Sequence, residues 1–400
     1  MDLVYITFVA LAGAFALLAV TARRRNMHIW LVSYVGQVVR RRFARHRGDP
    51  VHVMFCFVDH FEPRWGSPPY QEESRRVEEW CKRYPVLTAG HQDTDGQPPK
   101  HTFFFPEEEY RPEHIDRLVE LCQRGLGEID VHLHHDNDTE AGLRDKLQRF
   151  TEVLHRRHKA LPVNPDDGRP MFAFIHGNWC LDNSRRDGRW CGVNNELIVL
   201  REMGCYADFT LPSAPSDTQT RKINGIYYAK DDPRRPKSHN TGLDVEVGGT
   251  ASGDLMIVQG PLALDWRNRK WGLIPRIENS DVRRSAPPTS SRVDLWVRQG
   301  IHVKGRPDWI FVKIHTHGTQ ARDMDVVLGE PVAQMFSYLE TAYNDGKRYC
   351  LHYVTAREMY NIIKAAEMGR SGNPGQYRDF IVPRPPMLMQ NRKDRHSCRS

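Results

Sequence analysis

The chain has 400 residues, a formal net charge of +7 and 40% hydrophobic residues, enough for one large domain or two ordinary ones with a sizeable core. The positive charge sits at the ends: residues 1–50 carry +6 and residues 366–400 carry +4, leaving −3 for the body. The basic pI is therefore no argument for nucleic-acid binding, and no nucleic-acid partner is expected.

Residues 3–22, "LVYITFVALAGAFALLAVTA", contain no charge and are long enough to cross a bilayer as a helix. Arg23, Arg24 and Arg25 follow the apolar run, and only Asp2 precedes it. The positive-inside rule then predicts a single-pass anchor in the inner (plasma) membrane, with the body cytoplasmic. Residues 1–25 are the expected anchor with its basic flank. Residues 26–49, with Trp30, Tyr34 and an arginine cluster, read either as a juxtamembrane segment on an anionic leaflet or as the first helix of the body. Eight cysteines show no CxxC pair, which fits reduced thiols used as small hydrophobes.

From residue 50 strands and helices alternate. Residues 51–58, "VHVMFCFV", read as a buried strand. Val77, Trp80, Cys81 and Tyr84 mark a helix over 73–84, and Ile115, Leu118, Val119 and Cys122 mark another over 113–125. A strand over 129–133 precedes a helix over 139–159 with the stripe Leu143, Leu147, Phe150 and Leu154. Further strands are expected at 171–175, 205–209, 310–314 and 349–353, with helices at 194–203, 331–343 and from Thr355, where "TARE" is a capping box. This alternation predicts a parallel sheet with helices outside it. Residues 213–309 break the rhythm and read as a β-rich insertion within a catalytic domain of 50–368. The Pro/Arg-rich tail, 369–400, is expected to be loosely ordered.

Polar groups collect where the strands end. Asp59, His60 and Glu62 follow the first. His132, His134, His135, Asp136 and Asp138 crowd the end of 129–133. His176, Asn178, Trp179, Asp182 and Asn183 follow 171–175, and His315 and His317 follow 310–314. In a parallel α/β barrel such strand ends form the active site. Histidines and carboxylates gathered there suit a divalent metal with an open position for water. Strand geometry puts His132 and His134 on one face and turns His135 away. Asp138, just before the helix, is expected to cap it.

The order of these motifs resembles the polysaccharide deacetylase (NodB-homology) family. Its opening Asp-Asp strand is matched by "FCFVDHFEP", its His-containing second motif by "EIDVHLHHD", and its third by "FAFIHGNWCLDNS". "IFVKIHTHG" matches its closing Leu-x-His motif, and "PLALDWRN" weakly matches its Asp-Trp motif. The resemblance implies a divergent member: a distorted (β/α) barrel of the polysaccharide deacetylase type, with the insertion and an N-terminal transmembrane helix. It implies Asp59 as general base and His315 as general acid, with His60, His132 and Asp136 holding a divalent metal, Zn²⁺ by ligand type. Relative to the family pattern, a histidine and an aspartate have exchanged places. Asp59 or His134 as a ligand in a shifted register stays open. His176, Trp179, Asp182, Asn183 and His317 are expected around the substrate or behind the ligands. Arg234, Arg235, Lys237 and His239 form a possible substrate-binding cluster. The implied activity is removal of N-acetyl groups from a sugar in polysaccharide synthesis, the substrate being an N-acetylated or lipid- or nucleotide-linked glycan. A metal-dependent amidase or esterase, and a catalytically silent glycan-binding scaffold, are the competing readings.

Overall fold

A computed structural model describes residues 19–43 and 50–389, together with Tyr5 and Gly13. Most of the expected anchor, including most of the apolar stretch 3–22, therefore lies outside the described residues. Among those described, no helix is long and apolar enough to cross a membrane.

The segment from Trp30 to Arg41 is docked on the body. Helix α1 (Leu31–Phe43) follows Trp30, which is fully buried. Trp30 and Tyr34 pack against Ala214, Ile223, Leu262, Ala263 and Leu264. Gln37 Nε2 donates to Ile223 O at 2.6 Å, and Arg41 Nη1 donates to Gln299 Oε1 at 2.6 Å. Of the two readings of this segment, the first helix of the body describes these contacts.

The centre is β1 (Val51–His60), buried along its length as a parallel strand covered on both faces must be. Its alternation divides the core. Val51, Val53, Phe55 and Phe57 point to one apolar layer, with helices α2 (Tyr70–Leu87), α3 (Pro112–Leu121) and α4 (Glu140–Arg156). Met54, Cys56 and Val58 point to a second layer. The strands that follow are β2 (His101–Pro106), β3 (Gly127–Leu133), β4 (Phe172–His176) and β5 (Cys205–Asp208). Between the last two runs α5 (Glu196–Glu202). Strands β6 (Ile226–Ala229), β7 (Leu243–Asp244) and β8 (Leu255–Val258) come from the irregular stretch 213–309. That stretch also holds the separate hairpin β9 (Ala263–Lys270) and β10 (Ile274–Glu278), and α6 (Ser290–Arg298). Then come β11 (Trp309–Thr316), α7 (Ala321–Val327), α8 (Glu330–Tyr343), β12 (Tyr349–Tyr353) and α9 (Ala356–Glu367). The capping box read at Thr355 and Glu358 is present.

These strands form an open ten-stranded sheet, and the expected barrel is corrected here. The order runs β11-β1-β2-β3-β4-β5-β8-β6-β7, with β12 pairing the N-terminal half of β1 beside β2. Strands β1 to β5, β8, β11 and β12 pair in parallel, but β6 is antiparallel to both β8 and β7. The sheet thus continues outward through residues 226–258 where a barrel would close. On the far side of β11 lies an irregular segment, in which Val282 N–H donates to His315 O at 2.8 Å and His315 N–H donates to Ser280 O at 3.0 Å. A single-strand edge is covered there by loop, so closure is not required to satisfy the backbone.

The tail also departs from expectation as far as residue 389. Arg357, buried in α9, donates to Glu128 through Nε (2.8 Å) and Nη2 (2.7 Å), and through Nη1 to Arg378 O, Asp379 Oδ1 and Val382 O. Asn361 Nδ2 reaches the same two carbonyls. Val382 and Met387 are buried. Composition signalled a loose tail, but buried α9 donors give its carbonyls partners.

Candidate metal centre

The strand that carries Asp59 and His60 sends them to opposite faces. His60 joins the layer of Met54, Cys56 and Val58 and meets His132 (ring centroids 4.9 Å) and His317 (4.5 Å, stacked). Glu62, two residues on, returns to the same side. His60, Glu62 and His132 are all buried, and one ligand atom from each lies within 4.8 Å of the others. His134 joins from the next outward position of the β3 edge, its Nε2 3.5 Å from Glu62 Oε1.

The ring nitrogens are arranged for a cation. His132 Nδ1–H donates to Ile175 O at 2.7 Å, leaving Nε2 to face Glu62 Oε1 at 3.3 Å. His134 Nδ1–H donates to Glu108 Oε1 at 2.5 Å and likewise turns Nε2 to Glu62. A ligating histidine is commonly fixed in this way, by a carbonyl or carboxylate behind it. A lone pair facing a carboxylate is repulsive unless a proton or metal lies between them. Without a metal, protons take that place: hydrogen bonds from His132 and His134 then outweigh burial and hold the Glu62 carboxyl below its usual range. Burial, then the neighbouring histidines, holds His60 well below its usual value, so its ring is neutral and able to ligate. Two imidazoles and a carboxylate therefore fit a divalent metal.

Beside these groups opens a cavity of about 270 Å³. His60, Glu62 and His134 form one side. Trp65, Asn178, Trp179, Asp281, Arg283, His317, Gln320, Arg322 and Asp323 form the rest. Asp281 Oδ1 and Trp179 Nε1 are buried without a hydrogen-bond partner. Burial raises the Asp281 carboxyl above its usual range.

Several expected site residues stand elsewhere. Asp59 faces the helical layer, fully buried, and accepts from His101 Nε2–H at 3.1 Å and Gly318 N–H at 2.7 Å. It anchors the loop after β11 and does not face the cavity. Asp136 is exposed and accepts from Trp190 N–H at 2.5 Å, so Glu62 supplies the carboxylate that Asp136 was expected to bring. His315 is buried near His60 (6.1 Å between rings) with neither ring nitrogen partnered; His317, two residues on, is the one that lines the cavity. Trp179 lines it as well, but His176 joins a different group, with His135, Cys191 and Glu196. Asp182 is buried and accepts from Ser238 N–H, and Asn183 Nδ2 donates to Asn194. Thr139, not Asp138, caps α4 through its side chain.

The cluster at 234–239 does not assemble. The Arg234 and Arg235 side chains are 88% and 80% exposed, and each pairs with Asp232. Lys237 Nζ is consumed by Asp217 O and Gln219 O, and His239 is fully buried. Asp265 of the weakly matched Asp-Trp pair accepts from Arg267 and Asn268 N–H on the separate hairpin. A third acidic group, Asp93, Asp95 and His352, offers no open site. Asp93 and Asp95 already accept from Tyr353 N–H, Gln97 N–H, Asn373 and Arg378.

Glu62, Cys191 and Glu196 were missed as ligands. For Glu62 a signal existed, because it is an acidic residue two positions after His60, just past the end of the apolar strand. Cys191 and Glu196 lie in a loop and at a helix start, where no periodicity marks them.

The fold and these groups define an α/β protein with buried His/Cys/Glu clusters able to hold metal ions. In comparison with known proteins, no family model and no curated protein matches the chain.

Proposed function

We propose that the chain is a metal-dependent hydrolase that removes acetyl groups from an N-acetylated sugar. The observation that carries this is the convergence of His60, Glu62 and His132 beside the cavity, with the far nitrogens of His132 and His134 fixed by Ile175 O and Glu108. His60, Glu62 and His132 would hold the metal, with His134 bracing Glu62; zinc suits the set. A divalent ion there supplies a Lewis acid and acidifies bound water.

The remaining work falls to the chain's own residues. Asp281, a carboxylate lining the cavity beside Arg283, takes a proton from water. His317, stacked on His60 and open to the cavity, donates one to the departing amine. Trp65 and Trp179 offer indole faces to a sugar ring. Arg283 and Arg322 pair with Asp281 and Asp323 of the same wall. The motif order matching the polysaccharide deacetylases supports the acetamide as the bond cleaved. The uncharged stretch 3–22 supports a glycan made at a membrane as the substrate's setting.

The test is acetate release from N-acetylated hexosamine oligomers by the full chain, with and without a chelator. His132→Ala and Glu62→Gln should each lower turnover by roughly 100-fold or more, the upper range for disturbance around a metal ligand. Turnover that survives both the chelator and His132→Ala would remove the proposal.

A further inference from the structure

The end of β3 divides its histidines between two places. His132 and His134 serve the cavity side, whereas His135 turns away and meets His176, the last residue of β4. Their Nε2 atoms lie 2.8 Å apart. Glu196 Oε1 is 3.3 Å from the first and 3.4 Å from the second. Cys191 Sγ completes the group, 3.4 Å from Glu196 Oε2. All four side chains are buried, and their ligand atoms lie within 4.8 Å of one another.

The far side of each ring is already committed. His135 Nδ1–H donates to Asp138 Oδ2 at 2.9 Å, and Asp138 is braced by Lys146 Nζ at 2.6 Å. His176 Nδ1–H donates to Gly177 O at 2.5 Å. With the proton on Nδ1 in both rings, both Nε2 lone pairs aim at each other and at a carboxylate. Four electron-rich atoms converging in a dry interior repel unless a cation lies among them. Carboxylate and carbonyl backing is the usual support for ligating histidines. A set of two nitrogens, one thiolate and one carboxylate, all from buried side chains, is the four-ligand pattern of a structural site. The thiolate favours zinc-class ions over magnesium or calcium.

We propose that His135, His176, Cys191 and Glu196 form a structural zinc-class site, distinct from the cavity site. It fastens the ends of β3 and β4 and the start of α5. His134 and Trp179, which line the cavity, are one and three residues from its ligands. The loop between holds Asn178, Trp179, Asp182 and Asn183 at φ of 54°, 57°, 54° and 48°, a conformation side-chain-bearing residues disfavour. Glu196 Oε2 also accepts from Asp182 N–H at 2.5 Å, so the group clamps this loop at both ends. The competing occupant is a proton on His135, shared with Glu196 and Asp138.

Cobalt(II) loaded into the full chain separates the two. Of the candidate groups among the described residues only this one contains a thiol, so a thiolate-to-cobalt charge-transfer band reports on it whether or not the cavity binds metal. The band should appear in the wild type, persist in His132→Ala and vanish in Cys191→Ser. A wild-type chain without the band, or a band that survives Cys191→Ser, overturns the proposal and leaves the protonated network. Should Cys191→Ser fail to fold, zinc-edge X-ray absorption of the zinc-loaded wild type decides: a sulfur neighbour supports the site, and its absence overturns it.

Discussion

Replacement of Asp59 separates a structural anchor from a general base. Its carboxylate is fully buried and accepts two hydrogen bonds, from His101 Nε2–H and Gly318 N–H. Asp59→Ala strands both donors away from water, at about 1–3 kcal/mol each, so the expected loss is about 2–6 kcal/mol. That is a large share of the roughly 5–15 kcal/mol that holds a typical domain folded. Gly318 has no slack to compensate, because a Cβ there would sit 2.3 Å from Asp59 Oδ2 and 2.4 Å from Trp80 Cζ2. Asp59→Asn keeps one acceptor oxygen and should lose about half as much. Urea unfolding followed by tryptophan fluorescence should rank wild type above Asp59→Asn and Asp59→Ala last, with bound metal per folded molecule unchanged. An Asp59→Ala protein within about 1 kcal/mol of wild type in stability, yet inactive, would refute this reasoning and return Asp59 to the role of base.

Gly177→Ala should disturb the cavity from behind, since its Cβ would lie 2.2 Å from His134 Cδ2 and 2.8 Å from Leu133 O. The expected cost is about 1–3 kcal/mol, with weaker metal binding, read by thermal unfolding and titration with zinc. His239, buried with neither ring nitrogen partnered, is pushed down by burial to about 3 from 6.5. Its folded value lies below its unfolded one, so its contribution to stability is complete above pH 6.5 and is lost as pH falls toward 3, at up to about 1.4 kcal/mol per pH unit. His239→Leu should flatten that acid limb in a series of unfolding curves, and an unchanged limb would show that His239 does not titrate there.

Much of the architecture was legible because apolar periodicity marks single elements. The strand at 51–58 and the helix stripe Leu143, Leu147, Phe150 and Leu154 are found where they were read. Periodicity carries no information on whether a parallel sheet closes, and that choice rests on the antiparallel β6 and β7 in a stretch with little pattern. Strand β2 escaped notice because "HTFFFP" is short, continuous and bounded by prolines, without alternation. For the site, the family-like motif order led to Asp59 and Asp136, while the pleat of the strand decided otherwise. Parity sends Asp59 and His60 to opposite faces, and just past β1 Glu62 comes back beside His60. Strand β3 ends at Leu133, so alternation no longer governs beyond it: His134 stays beside Glu62, His135 turns to His176 and Asp136 goes to solvent.

The central claim, a metal held beside the cavity, is tested most directly by anomalous diffraction from zinc-soaked crystals of the wild-type protein. The account predicts a peak bounded by His60, Glu62 and His132, with Asp136 outside its coordination sphere. Zinc in excess with no peak among those three residues would contradict it.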